Sequence, residues 1–208
     1  AARRPARRGM TSANPGAVIV GVGRSGTGYI AALLQAVGID CGHEEHWTPD
    51  PERRRPVPVD ASWLAVGRDD LPPLVLAQHR DPLAIVSSLV ATPEHGAWAT
   101  ERERLAGPPT GDPVADALRI VATWGEAIAA HRPYVTWRVE DIDPATVVGI
   151  AATLGHDTAH ATAAQAWCRV GTRTNDHGTT RTLRVRDLPD TPDRHVVLQL
   201  RESWGYWP

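Results

Sequence analysis

The chain has 208 residues, 42% of them apolar, enough for one well-packed domain and too few for two. A formal net charge of -2 excludes a surface organised as a whole around nucleic acid, and no apolar run approaches the ~18 residues of a membrane span. All 22 basic residues are arginine, so any anion must be held by guanidinium groups or backbone amides, never by a lysine ammonium.

Residues 1–15 carry arginines but no apolar stretch of the kind a signal peptide needs, and read as a disordered extension ahead of a domain spanning 16–208. Cys41 and Cys168 match no metal-ligand spacing, so neither a disulfide framework nor a metal site is expected, and a reduced, cytoplasmic setting fits. The β-branched run AVIVGV at 17–22 predicts a buried strand, followed by a glycine turn and a helix at 27–37 that stops at Gly38. Further strands are predicted in LPPLVLAQ before Asp81 and in YVTWRVEDI before Asp143.

Asp81-Pro82, Asp112-Pro113 and Asp143-Pro144 each mark a helix start, because the aspartate takes an orphan amide and a first-turn proline needs none. Those helices are expected at 82–91, 113–130 and 144–154, the last stopped by Gly155, with another at 159–169. The segments 42–73, 93–112 and 171–194 are polar and proline-rich and read as long connections. The alternation predicts an α/β fold: a single domain whose central parallel sheet is flanked by helices.

Gly21-Val22-Gly23-Arg24-Ser25-Gly26 admits three phosphate-binding readings. As G-x-G-x-x-G it satisfies a dinucleotide fingerprint, but the acids expected about 20 residues on, Glu44 and Glu45, sit in GIDCGHEEHW, which does not read as a buried strand. As a triphosphate loop it has Thr27 where a lysine is needed, so a kinase of a small hydroxyl substrate stands only as an alternative. The third reading puts the cation inside the loop at Arg24, ahead of Ser25-Gly26-Thr27 and a helix N-terminus that favours an anion. A ligand-free turn, or a nucleotide-binding protein without catalysis, completes the alternatives.

In that order of strand, Arg24, Ser25-Gly26-Thr27 and helix, the sequence resembles the PAPS-dependent sulfotransferases. The resemblance implies a P-loop NTPase-like sulfotransferase fold, with Gly23, Arg24, Ser25, Gly26, Thr27 and Gly28 around the 5′-phosphosulfate and no metal. It extends to Leu76-Ala-Gln-His-Arg80-Asp-Pro and Ser88, since the family holds the 3′-phosphate with a strand-end arginine and a serine eight residues later. Ser88 would lie about two turns, roughly 9 Å, into the helix begun at Pro82, so both groups would reach one phosphate. An Arg80 paired with Asp81 beside a solvated Ser88 is the bland alternative.

Cys41-Gly-His-Glu44-Glu45-His-Trp47 lies where the family keeps its base, with similarity to the Cys-Gly-Glu-Glu stretch of tyrosylprotein-type enzymes and to the Gly-His-Glu and Ser-Trp of bacterial relatives, here Ser62-Trp63. Glu44 is the first candidate to take the acceptor proton, then Glu45, with His43 as a third. Tyr29 would face adenine or pack in the core, and Arg173, with Arg181, would close over the 3′ end. The acceptor is expected to be a small molecule or carbohydrate, between walls that include Trp47, Trp63, His95 and Trp98, while Arg53-Arg54-Arg55 would steer an acidic acceptor or be solvated. No nucleic-acid partner is expected, and oligomeric state is not readable from the chain.

Overall fold

Five short strands pair in parallel in the order β2-β3-β1-β4-β5: β1 is Ala17–Val20, β2 Cys41–His43, β3 Val59–Ala61, β4 Leu74–His79 and β5 Val135–Arg138. The computed structural model describes residues 15–92, 96–171 and 183–206. All but the last residue of the extension expected at 1–15, as well as His95, Arg173 and Arg181, lies outside the described residues.

Every residue of β1 is buried, as the centre of a parallel sheet covered on both faces requires. Alternation along the strand sends Ala17 and Ile19 into one core layer and Val18 and Val20 into the other. The first layer is completed by α1 (Thr27–Ala36), α5 (Pro144–Thr153) and α6 (His160–Val170), through Ile30, Leu34, Ile150 and Ala163. The second is built by α2 (Pro82–Ala91), α3 (Ala97–Ala106), α4 (Pro113–Ala130) and α7 (Pro192–Ser203), around Val86, Leu118, Trp124 and Val197. Among the described residues this makes one α/β domain of five strands and seven helices.

The Asp-Pro pairs act as expected. Asp81 accepts from Leu83 N at 3.0 Å, Asp112 from Val114 N at 2.9 Å and Asp143 from Thr146 N at 2.7 Å. Gly38 and Gly155 end their helices at φ +90 and +80, which only glycine adopts without strain. The expected helices match the observed ones to within a residue at each end.

Two strands and one helix lie where loops were expected, and a further helix follows the last expected loop. Cys41–His43 is a strand after all: at the sheet edge three residues suffice, and Gly42 is demanded because a Cβ there would come within 2.8 Å of Asp60 Oδ1. Val59–Ala61 lies inside the predicted 42–73 connection, and α3 inside 93–112, where AWATERERLA has too little apolar periodicity to announce a helix. The last helix, α7, starts at Thr191-Pro192, with Arg194 N donating to Thr191 Oγ1 at 3.2 Å, so threonine plays there the part aspartate plays elsewhere.

β1 lies between β3 and β4, yet the chain leaves it through α1 for β2 on one flank and returns to β4 on the other. The carboxyl ends of β1 and its neighbours therefore border the crevice where such sheets bind ligands.

At the end of β4 the His79 ring is buried and stacks on Trp204, centroids 4.2 Å apart and planes 21° from parallel. Burial pushes its pKa down to about 4, so the folded state stays neutral while the unfolded imidazole charges below its ordinary 6.5. The unfolded state then binds the extra proton between those values, and this group's share of stability is lost as pH falls through that window. In urea titrations the stability of wild type relative to His79→Phe, which keeps a stacking ring, should fall by about 3 kcal/mol between pH 6.5 and 4.

Candidate functional site

The turn after β1 is compact because its residues leave ordinary backbone space: Arg24 has φ +75 and Gly26 φ +91. Ser25 N donates to Val22 O at 2.9 Å, closing the turn. Its carbonyls are held from β4. Arg80 Nη1 donates to Arg24 O at 3.0 Å, and Gln78 Nε2 to Ser25 O at 2.6 Å. Gln78 accepts in turn from Trp137 Nε1 at 3.1 Å. A Cβ on Gly21 would lie 2.2 Å from Ser25 Oγ and 2.9 Å from Gln78 O, so only glycine fits there. Gly23 lies over the Trp63 indole, 3.7 Å from where its Cβ would be.

The first helix opens on Gly26 with no side chain capping it, unlike the aspartate-capped α2, α4 and α5. The orphan amides of its first turn, Thr27 and Gly28 among them, make a cradle of the kind that takes an anion. Ser25 departs from expectation: it is fully buried with its hydroxyl turned inward against Gly21, filling the turn rather than facing a ligand. Tyr29 packs, half-buried, against the core shared by α1, α5 and α6, which is the packing role. Arg24 Nη2 donates to Thr92 O, the carbonyl that follows α2, at 3.2 Å.

On the other flank, α1 meets β2. A Cβ on Gly28 would lie 3.1 Å from the His43 ring, whose Nε2 is 3.3 Å from Thr27 Oγ1 and 3.2 Å from Glu44 Oε1. One nitrogen serves both contacts, donating to the carboxylate when protonated and accepting from the hydroxyl when not. Glu44 is buried, with φ +58, a conformation held because the two following amides are tied down from β3. Asp60 Oδ1 accepts from Glu45 N at 3.2 Å and Oδ2 from His46 N at 3.0 Å. Burial pushes the Asp60 carboxyl up to about 6 despite those bonds. Asp60 was missed in the sequence; its signal was a lone acid in the mainly apolar VPVDASW.

The two candidate acids differ in commitment. Glu45 is ion-paired with Arg55, which also reaches Asp40 at 3.3 Å, whereas Glu44 points to His43. The arginine run is exposed but not without contacts: Arg53 lies 5.4 Å over the Trp98 ring and Arg54 donates to Thr48 O at 3.2 Å. Trp47 and Trp63, expected as substrate walls, are core residues, each 5% exposed. Ser88 is half-buried on α2, one residue after Ser87, which is buried, donates to Leu83 O and accepts from Leu183 N at 2.7 Å. Among the described residues no group of three His, Cys, Asp or Glu is arranged to hold a metal, and no helix is long and apolar enough to cross a membrane.

A central parallel sheet flanked by helices on both faces has a counterpart among solved structures. Mouse sulfotransferase SULT7A1, crystallised in complex with PAP, superposes with a TM-score of 0.50 at 13% identity, covering 91% of this chain and 76% of that one. The chain has a sulfotransferase-like fold. No family model and no curated sequence matches it. Within this sulfotransferase-like frame the turn is met by the Arg80 guanidinium from the β4 end and, through Thr27, by His43 and the Glu44 carboxylate from the β2 end.

The turn's dependence on glycine is measurable. A Cβ at Gly26 would lie 3.1 Å from both Gln78 Nε2 and Val139 Cγ2, whereas at Gly38, equally left-handed, it would meet nothing within 4 Å. Gly26→Ala should cost about 2 kcal/mol or more in urea unfolding and Gly38→Ala about 1 kcal/mol, with equal losses counting against a packed turn.

Proposed function

We propose that the protein binds 3′-phosphoadenosine 5′-phosphosulfate (PAPS) as co-substrate and transfers its sulfuryl group to a hydroxyl or amine of a small-molecule or carbohydrate acceptor, releasing adenosine 3′,5′-bisphosphate. The observation that carries this reading is the bond from Arg80 Nη1 to Arg24 O, which brings the strand-end guanidinium against the 5′-phosphate turn. One nucleotide phosphorylated at both ends suits two cradles so close together. The PAP-bound sulfotransferase of like fold adds support.

In this reading the acceptor oxygen attacks sulfur in line, the bond from sulfur to the bridging oxygen breaks, and its electron pair leaves on the 5′-phosphate. Charge growing on that leaving group is met by the α1 amides, Thr27 and Arg24. Arg24 also donates to Thr92 O, and because a guanidinium keeps its proton it acts by charge and hydrogen bonding, not as an acid. Glu44 takes the acceptor proton, and His43, in contact with both Glu44 and Thr27, positions the carboxylate. Glu45, held by Arg55, is the weaker candidate. Arg80 and Ser88 hold the 3′-phosphate, and Arg173, outside the described residues, is proposed only on the resemblance. A cavity of about 310 Å³ between α2, α3 and α4, lined by Leu89, Ala99, Arg102 and Ile120, suits the body of the acceptor. Arg102 joins it to the turn, its Nη2 4.0 Å from where a Gly23 Cβ would stand.

Thermal-shift measurements should show stabilisation by adenosine 3′,5′-bisphosphate without magnesium and none by ATP with it; the reverse result would favour a kinase. Arg80→Ala should bind the bisphosphate no better than AMP, a loss of about tenfold or more in discrimination by calorimetry. Arg24→Ala should lower kcat for sulfuryl transfer by about a hundredfold. Near-normal turnover by that variant would remove Arg24 from the mechanism.

A further inference from the structure

We infer that Gln78 and Trp137 are positioning residues that set the direction of one backbone amide, Gly26 N–H, in the anion cradle. The inference rests on the reading that this cradle holds the nucleotide's 5′-phosphate.

The direction follows from chemistry. An indole N–H only donates, so the Gln78 atom 3.1 Å from Trp137 Nε1 is the carbonyl oxygen Oε1. That leaves the NH2 group for Ser25 O, 2.6 Å away. The amide cannot turn over without setting two donors against each other at one end and two acceptors at the other. Across a trans peptide the carbonyl and the following N–H point in opposite directions. Drawing Ser25 C=O towards β4 therefore turns Gly26 N–H to the opposite side, away from the buried Gln78.

Two further observations fit this task. Gln78 is fully exposed to neither water nor ligand: it is 0% accessible, in a strand otherwise composed of LVLA and a buried histidine. An aliphatic side chain there would avoid the cost of desolvating an amide, so the glutamine is retained for what its two ends hold. Gln78 Nε2 also backs the left-handed Gly26, 3.1 Å from where a Cβ would be, closing the space through which the peptide plane would rotate.

The test is calorimetry on wild type, Gln78→Met, Gln78→Glu and Trp137→Phe with two probes, adenosine 3′,5′-bisphosphate and adenosine 3′-monophosphate. Wild type should prefer the bisphosphate. In Gln78→Met and Trp137→Phe that preference should shrink about tenfold while affinity for the 3′-monophosphate stays. In Gln78→Glu, which sets a carboxylate against a carbonyl, it should shrink further. A merely structural role would weaken both probes together, and that result, or an unchanged preference in folded variants, overturns the inference. Trp137→Phe, which leaves the glutamine in place, decides the matter where the Gln78 variants do not fold. A wild type that ignores the 5′-phosphate would instead bring down the cradle reading itself.

Discussion

Two carbonyls of the turn after β1, those of Arg24 and Ser25, need donors that the turn cannot supply, and β4 supplies both through Arg80 and Gln78. This demand fixes the register of the sheet's centre. Val20 pairs with Ala77, so Gln78 stands just past the end of β1, level with the start of the turn. Side chains two apart share a face, which puts Gln78 and Arg80 together on the α1 side and leaves His79 to face Trp204, just past α7. A slip of one residue would bring the neutral, buried imidazole to the turn and send the guanidinium into the opposite layer.

The opposite flank is built on a different bargain. Asp60 is a fully buried carboxylate whose desolvation outweighs the two amides it accepts, as its raised pKa of about 6 records. What it secures is the shape of Glu44-Glu45-His46: with the last two amides tied down, Glu44 is held left-handed and turned to His43. The crevice thus has polarity, cationic towards β4 and acidic towards β2. A ligand with an anionic end and a reacting hydroxyl would be ordered by that gradient before any contact specific to its shape.

The sequence made the helices legible wherever a side chain announced them. Asp-Pro at 81, 112 and 143 carries its mechanism in two letters, and the same logic at Thr191-Pro192 would have located α7. Short edge strands have no such signature: β2 contains a glycine, and both β2 and β3 are too brief for periodicity to register. Motif spacing anticipated that Arg80 would stand against Arg24, and His43 and Glu44 beside Thr27, because these residues sit at ends of elements, where chain position and space coincide. It misjudged side chains whose role depends on direction. Ser25 turns inward, Trp47 and Trp63 join the core, and Arg55 neutralises Glu45. Gln78 was unreadable, since a polar residue in a buried strand gives no hint of which groups will meet it.

The bland reading of the second motif paired Arg80 with its neighbour Asp81, and the fold disposes of it through the far end of the chain. Asp81 caps α2 through Leu83 N and is ion-paired with Arg201 of α7, Nε to Oδ1 at 3.1 Å. Its backbone N–H is taken by Glu140, which also receives the Tyr206 hydroxyl, and Arg138 donates to Gly205 O at 2.9 Å. Every strong electrostatic demand of Asp81 is met from α2 and the C-terminal segment. Arg80 makes no ion pair among the described residues, and it donates to a neutral carbonyl of the turn. Had Asp81 faced Arg80, the two would have cancelled at the mouth of the crevice. Because α7 draws the aspartate away, the guanidinium keeps its charge beside the cradle, and a helix remote in sequence thereby helps determine what the β4 end can attract.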